Sequence, residues 1–153
     1  MTGVTATPEE TEAVGRRLAA GLLPGDLLLL VGDLAAGKTT LVRGLVEGLG
    51  GDPGEVSSPT FVLVQSYPVD RGGIRTVHHV DLYRLADAGE AALREIGLEE
   101  LLSDPASVVA VEWPTELLTT WRPRGTRCLT VRLAVRDDGT RSIAVEEGED
   151  VRT

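Results

Sequence analysis

The residues with the clearest chemical potential form one short segment around Lys38. Residues 32–39 read GDLAAGKT and match the phosphate-binding pattern G-x-x-x-x-G-K-[ST]. In such a loop the backbone N–H groups cradle phosphate oxygens, the lysine reaches the outer phosphates, and the last hydroxyl side chain binds Mg²⁺. Lys38 is the only lysine, since all fourteen other Lys/Arg residues are arginine. A compact ammonium fits inside this loop where a planar guanidinium would not. The segment predicts binding of a nucleoside triphosphate.

One position of this loop differs from many others of its kind. Ala35 lies where such loops often carry glycine. Because a methyl group is small, we expect the loop to close around a phosphate provided that Ala35 has a negative φ.

Two carboxylates are candidates for the acid that a Mg²⁺-dependent nucleotidase needs at the end of a buried strand. Glu112 follows an apolar run at 108–111, and Asp81 follows the less apolar run 76–80. If the apolar run is a buried parallel strand, its carboxyl end faces the phosphates. Each residue has a structural alternative: Glu112 as an exposed carboxylate at a strand end, and Asp81 as a helix cap or turn residue.

The elements around the loop predict how it is positioned. Residues 27–31 are a continuous apolar run, typical of a parallel strand buried on both faces, and residues 41–49 show helical spacing up to a Gly-Gly stop. Before this strand, Thr7, Pro8 and Glu10 form a helix start. The strand–loop–helix order is the context that a phosphate-binding loop requires.

The remaining segments predict further strands and one helix. Residues 61–67 and 74–80 indicate an antiparallel hairpin, 107–111 a second buried strand, and 128–135 with 142–145 another strand pair. Residues 87–102 predict a helix bent near Gly97. The pattern favours a single α/β domain over residues 1–153, with a mixed parallel and antiparallel sheet flanked by helices. We expect residues 1–6 and 147–153 to be frayed.

The composition limits the kinds of partner that the protein is expected to bind. The net charge of −9 disfavours direct binding to DNA or RNA, because an acidic surface repels the phosphate backbone. A single cysteine, no leader-like start and no long apolar run favour a cytoplasmic protein without membrane attachment.

Two kinds of site are disfavoured. A GTPase motif of the N-K-x-D type is excluded, since the chain has no asparagine and one lysine. His78 and His79 are adjacent in a predicted strand and point to opposite faces, so they cannot share one metal ion.

Four segments in order carry a resemblance to a known family. They are GDLAAGKTT at 32–40, SSPTF at 57–61, HVDLYRL at 79–85 and EWP at 112–114. The phosphate loop is widespread, but the later three segments in this order are far more specific. The chain resembles the TsaE (YjeE) family of small bacterial P-loop ATPases from about residue 8 to 135. The family loop usually reads G-[DE]-L-G-A-G-K-T-T, so Ala35 replaces its middle glycine.

The resemblance implies a function in tRNA modification. Proteins like TsaE hydrolyse ATP with Mg²⁺ and support the synthesis of N6-threonylcarbamoyladenosine beside the anticodon. They act on a complex of TsaB and TsaD, and so reach tRNA only indirectly. By position, Lys38 would hold the phosphates, Thr39 and Glu112 would bind Mg²⁺, Asp81 would support hydrolysis, and Trp113 would line the site.

The resemblance also implies that residues 57–60 form a switch-like loop near the γ-phosphate. We expect Asp81 to order the attacking water and Glu112 to act mainly on the metal, although these two roles could be exchanged. The predicted nucleotide-binding residues are Asp33, Leu34, Ala35, Ala36, Gly37, Lys38, Thr39, Thr40 and Trp113.

Two other functions use the same loop. A small-molecule P-loop kinase would need an acceptor pocket and usually an arginine-rich lid, and no such segment is evident in the sequence. A non-catalytic nucleotide sensor would bind nucleotide and dock partners without hydrolysis. We expect instead weak ATP hydrolysis that partners stimulate.

Overall fold

The computed structural model describes residues 2–57, 63–85, 89–115, 118, 121–123 and 125–148. Four α-helices are assigned within these ranges: α1 (Pro8–Ala19), α2 (Lys38–Gly48), α3 (Glu90–Glu95) and α4 (Leu98–Leu102). The strands are β1 (Thr2–Thr5), β2 (Leu27–Val31), β3 (Val64–Arg71), β4 (Ile74–Asp81), β5 (Ser107–Glu112), β6 (Cys128–Val135) and β7 (Arg141–Glu147).

The strands form one mixed sheet in the order β1-β7-β6-β2-β5-β4-β3. Strand β2 lies parallel to both β5 and β6, and β4 lies parallel to β5. The β1–β7, β6–β7 and β3–β4 pairs are antiparallel. The predicted α/β class with a mixed sheet is therefore confirmed, as are the parallel β2 and β5 strands and the β3–β4 hairpin.

The central strand β2 carries the core on both of its faces. Leu28 and Leu30 pack with α1 and α2 on one side, whereas Leu27 and Leu29 pack with residues of α3 and α4 on the other. All four leucines are buried. Helices cover both faces of the sheet at β2, which explains why this strand carries no polar side chain on either face.

A close approach of α1 to α2 fixes the helix that follows the phosphate loop. A Cβ at Gly44 would lie 1.9 Å from the carbonyl oxygen of Glu12, so only glycine permits this contact. Helix α1 begins as predicted, with the Thr7 side chain accepting a hydrogen bond from the Glu10 N–H at 3.2 Å. The pair of helices therefore holds the loop end of α2 against the sheet.

The expected fraying at the N-terminus is wrong for residues 2–5. These residues form β1, which pairs with β7 at the sheet edge and places Thr2 opposite Ala144. The buried Thr5 hydroxyl shares a 2.8 Å hydrogen bond with that of Thr11. At the other end Glu147 still belongs to β7, while residues 149–153 lie outside the described residues.

The predicted bend near Gly97 is confirmed as a break between α3 and α4, with Gly97 at φ 79°. The proposed helix start at Asp87 and the first two residues of the predicted strand 61–67 lie outside the described residues. In the described part of the chain, every helix is too short or too polar to cross a bilayer.

Candidate nucleotide-binding site

The phosphate-binding loop connects the carboxyl end of β2 to the first turn of α2. Gly37 precedes the helix at φ 104°, a backbone conformation that side chains rarely adopt. At Gly32 an added Cβ would lie 2.5 Å from the Leu133 carbonyl oxygen. Gly37 thus permits the turn into the helix, and Gly32 permits close packing against β6. The eleven-residue helix directs its positive end to the loop.

Lys38 folds back across this loop. Its Nζ donates to the carbonyl oxygen of Gly32 and to that of Asp33 at 3.1 Å, and it lies 4.0 Å from the centre of the Trp113 ring. Burial lowers the pKa of Lys38, while the carboxylates of Glu112, Asp81 and Asp33 oppose that change. A phosphate beside the buried ammonium would add further negative charge and so favour its charged form.

Ala35 does not meet the condition of a negative φ. Its φ is 63°, in the left-handed region, where a Cβ crowds the following carbonyl. This geometry explains why the family pattern has glycine here. Ala36, the next residue, is buried and has no such strain.

A cleft of about 300 Å³ adjoins the loop and brings most of the predicted residues together. Asp33 is not among its lining residues and meets Lys38 through its backbone oxygen. The cleft is lined by Leu34, Ala35, Ala36, Gly37, Lys38, Thr39, Thr40, Asp81, Tyr83, Glu112 and Trp113.

The two candidate carboxylates lie side by side at the carboxyl ends of β4 and β5. Asp81 pairs in register with Glu112, and both are buried, so Glu112 is not an exposed residue of a strand end. The Thr39 hydroxyl donates to Glu112 Oε2 at 2.9 Å. This contact joins the first turn of α2 to β5 and places two hard oxygen ligands together, the type that Mg²⁺ prefers.

Asp81 is the turn residue that its structural alternative predicted, and it also lines the cleft. Its Oδ1 accepts the Tyr83 backbone N–H at 2.9 Å and so stabilises the short turn after β4. Burial raises the pKa of Asp81, and the neighbouring Glu112 carboxylate adds to that rise. A carboxyl group with a raised pKa beside a phosphate-binding loop is suited to exchange hydrogen bonds with a reacting water.

One of the two aromatic residues of the cleft, Trp113, is held in a strained backbone. Trp113 has φ 58°, which is unusual for a bulky residue, and its ring lies 5.0 Å from that of Tyr83. Strain of this kind clusters at functional sites. With this backbone conformation the indole of Trp113 lies against Lys38.

Sequence reasoning missed His79 as part of this site. Its Nε2 lies 2.6 Å from Glu112 Oε2, and the ring is completely buried. His78 points to the opposite face, as predicted, where it contacts Ser66 and Asp104. The two-residue spacing of His79 and Asp81 in one strand was the available signal, since such residues share a face.

The described residues hold no group of three or more His, Cys, Asp or Glu side chains suited to a metal ion. A Mg²⁺ ion at this site would therefore depend on Thr39, Glu112 and oxygens of the nucleotide itself. The donor set fits that arrangement, because Mg²⁺ is usually bound by one or two carboxylates together with substrate phosphates.

Comparison with known proteins agrees with this geometry. A family model described as threonylcarbamoyl adenosine biosynthesis protein TsaE matches residues 5–143. The chain belongs to the TsaE family. The crystal structure of Bacillus subtilis YdiB superposes with a TM-score of 0.66 at 29% identity, over 98% of this chain and 86% of that one. The fold is thus that of the α/β P-loop nucleotide-binding proteins.

Three curated TsaE proteins, each named tRNA threonylcarbamoyladenosine biosynthesis protein TsaE, show the range of similarity. The Streptomyces coelicolor protein is 51% identical over 65% of this chain and 64% of its own length. The Bacillus subtilis protein is 42% identical over 71% of this chain and 63% of its own length. The Rickettsia bellii protein is 37% identical over 87% of this chain and 85% of its own. This TsaE chain thus covers less than two-thirds of the first two relatives.

Proposed function

We propose that this protein is a Mg²⁺-dependent ATPase that supports N6-threonylcarbamoyladenosine modification of tRNA by acting on a TsaB–TsaD complex. One observation carries the proposal. The phosphate-binding loop, the Thr39 hydroxyl and the Glu112 carboxylate meet in one cleft, with Thr39 Oγ1 2.9 Å from Glu112 Oε2. Family membership supports the link to tRNA modification, which would take place in the cytoplasm.

Phosphate binding would rest on the loop and the first turn of α2. The N–H groups of residues 33–40 and the positive end of the helix favour a polyanion. Lys38 Nζ would exchange its two carbonyl contacts for phosphate oxygens, a gain for an ammonium whose burial lowers its pKa. This exchange gives the lysine a reason to stay charged in a buried place.

Thr39 and Glu112 would hold the metal. When bound, Mg²⁺ would neutralise charge on the phosphates. The Thr39 hydroxyl can go on donating its hydrogen bond to Glu112 Oε2 while a lone pair of its oxygen binds the metal. Glu112 would thereby orient the hydroxyl as well as contribute its own negative charge.

Asp81 would order the attacking water. Its raised pKa indicates a carboxyl group that accepts a proton more readily than an exposed aspartate. The water oxygen would bond to the γ-phosphorus while the bond from that phosphorus to the bridging oxygen breaks. The buried position of Asp81 next to Lys38 and Glu112 supports this role.

The adenine would lie in a second, smaller depression that shares three residues with the loop: Ala35, Gly37 and Thr40. The start of α1 and Arg141 of β7 form its other side, and Arg141 donates to the Ala35 carbonyl oxygen at 3.3 Å. This depression is lined by Thr5, Ala6, Thr7, Pro8, Thr11, Ala35, Gly37, Thr40 and Arg141.

Two features support a protein partner over the cleft. Leu34 and Tyr83 line it and are 63% and 46% exposed, which is high for apolar side chains. The net charge of −9 suits a protein partner better than bare RNA. A TsaB–TsaD complex that covers this rim could accelerate ATP turnover.

Phosphate release from Mg–ATP, measured with and without TsaB–TsaD, tests the proposal. We expect slow release by the protein alone and faster release with the complex. Transfer of phosphate to an added alcohol would favour a small-molecule kinase. Nucleotide binding without phosphate release, even with both partners present, would favour a nucleotide sensor.

A further inference from the structure

A hydrogen-bonded path leaves the cleft through His79 and ends at Ser57. Glu112 Oε2 accepts from the Thr39 hydroxyl and from His79 Nε2, at 2.9 and 2.6 Å. Because a carboxylate has no proton to donate, Nε2 carries the hydrogen of the second bond. The imidazole therefore fixes the rotation of the carboxylate, with Oε2 engaged on both sides.

Tyr67 continues the path on the far side of the imidazole. Its hydroxyl oxygen lies 3.1 Å from His79 Nδ1, and both side chains are buried. Burial raises the pKa of the Tyr67 hydroxyl, so it keeps its proton. The ring of His79 thus has a polar contact at each nitrogen, Glu112 at Nε2 and the Tyr67 hydroxyl at Nδ1.

The Tyr67 hydroxyl has one proton and three partners. It lies 2.6 Å from Gln65 Oε1 and 3.3 Å from the Ser57 carbonyl oxygen, in addition to His79 Nδ1. Ser57 and Gln65 also contact each other through their side chains at 3.3 Å. A displacement of Ser57 therefore alters the contacts of Gln65 and of the Tyr67 hydroxyl, and through that hydroxyl the surroundings of His79.

We propose that His79 is a positioning residue that fixes the Glu112 carboxylate for Mg²⁺ and that Tyr67 ties this orientation to the position of Ser57. The inference rests on the proposed function, because it concerns the metal ligand of that site. Residues that orient a metal-ligating group typically change metal affinity or activity about 10- to 100-fold when they are replaced.

The test compares His79→Leu, His79→Gln and Tyr67→Phe with the wild type. Ser66→Ala is the matched control. Like Tyr67→Phe it removes a hydroxyl from β3, but this hydroxyl contacts His78 on the opposite face of the sheet. Binding of a fluorescent ATP analogue is measured first in EDTA and then in a Mg²⁺ titration. Thermal unfolding without metal reports whether each variant is folded.

We expect His79→Leu to raise the Mg²⁺ concentration for half-maximal response about 10- to 100-fold, with binding in EDTA changed less than about threefold. His79→Gln should recover most of the loss, since its side-chain amide can donate to Glu112. Tyr67→Phe should show a several-fold shift, and Ser66→Ala none. Rescue by glutamine is not expected from a merely structural role.

Tyr67→Phe keeps the aromatic ring, so it tests the path even if His79→Leu does not fold. A wild-type response to Mg²⁺ in folded His79→Leu, or in folded Tyr67→Phe where His79→Leu does not fold, overturns the inference and leaves the proposed function standing. A wild-type protein that binds nucleotide but ignores Mg²⁺ overturns both.

Discussion

Replacing Ala35 by glycine tests the geometry of the phosphate-binding loop. Ala35 has φ 63°, whereas the loop motif elsewhere uses glycine for its left-handed residue, Gly37. The substitution removes one methyl group at a position that borders the cleft and changes no charge. Its effect on stability should therefore come from the backbone alone.

The expected magnitude is the difference between two effects. Relief of the left-handed conformation is worth about 1–2 kcal/mol. The greater freedom of glycine in the unfolded chain costs about 0.4–1 kcal/mol. The net gain in the free energy of unfolding is about 0.8 kcal/mol, which corresponds to a rise in Tm of about 2–3 °C for a chain of this size.

Thermal unfolding without nucleotide measures this gain, and Ala36→Gly is the matched control. Ala36 is 1% exposed, and its φ is not positive. Glycine there loses a buried methyl, worth about 0.8 kcal/mol, and adds freedom to the unfolded chain. We expect the control to lower Tm by several degrees.

Because Ala35→Gly keeps every charge and the left-handed conformation at residue 35, it should change the Kd for ATP only slightly. A fall in Tm like that of Ala36→Gly would refute the reasoning, because it would mean that Ala35 has an ordinary backbone in solution. An unchanged Tm with a tenfold tighter Kd would also refute it, since the strain would then arise only on nucleotide binding.

Four further substitutions test single contacts. Lys38→Ala should weaken ATP binding at least about tenfold with an unchanged circular dichroism spectrum, and undiminished binding would contradict the phosphate role. Glu112→Gln should raise the Mg²⁺ requirement of hydrolysis at least about tenfold, and a change in Tm alone would make Glu112 structural. Because burial raises the pKa of Asp81, the folded state is favoured at low pH and this contribution is lost as pH rises above 3.8 through the raised pKa; Asp81→Asn should therefore raise Tm at pH 7 and slow phosphate release about 100-fold, whereas a lower Tm would contradict the pKa direction. Arg127→Met removes the ion-pair partner of the buried Asp26 and leaves its contact with the Leu23 N–H; it should lower the free energy of unfolding in urea by about 2 kcal/mol or more, and no change would mean that water serves Asp26 equally well.

The parts of the site that follow from local sequence were predictable. The spacing around Lys38 places a loop between a strand and a helix, and the apolar run before Glu112 indicates a buried strand. Both depend on neighbours in the chain. The structure brings these residues into one cleft, while their individual catalytic and binding roles remain predictions.

The parts that depend on distant pairing were not predictable. Residues 2–5 form a strand only because β7 offers a free edge 136 or more residues away, with Thr5 in register with Arg141. His79 gains its place because Glu112 of β5 lies on the same face. The φ of Ala35 could have been expected, since the glycine of the family loop already indicates a left-handed residue.

The central claim is that ATP turnover at the Lys38 loop supports tRNA modification. Its most direct test is mass spectrometry of digested tRNA from cells that lack this gene and carry either the wild-type protein or Lys38→Ala. The account predicts that N6-threonylcarbamoyladenosine disappears on deletion, returns with the wild-type protein and stays absent with Lys38→Ala. Modified nucleoside that persists after deletion, or that Lys38→Ala restores in full, would contradict it.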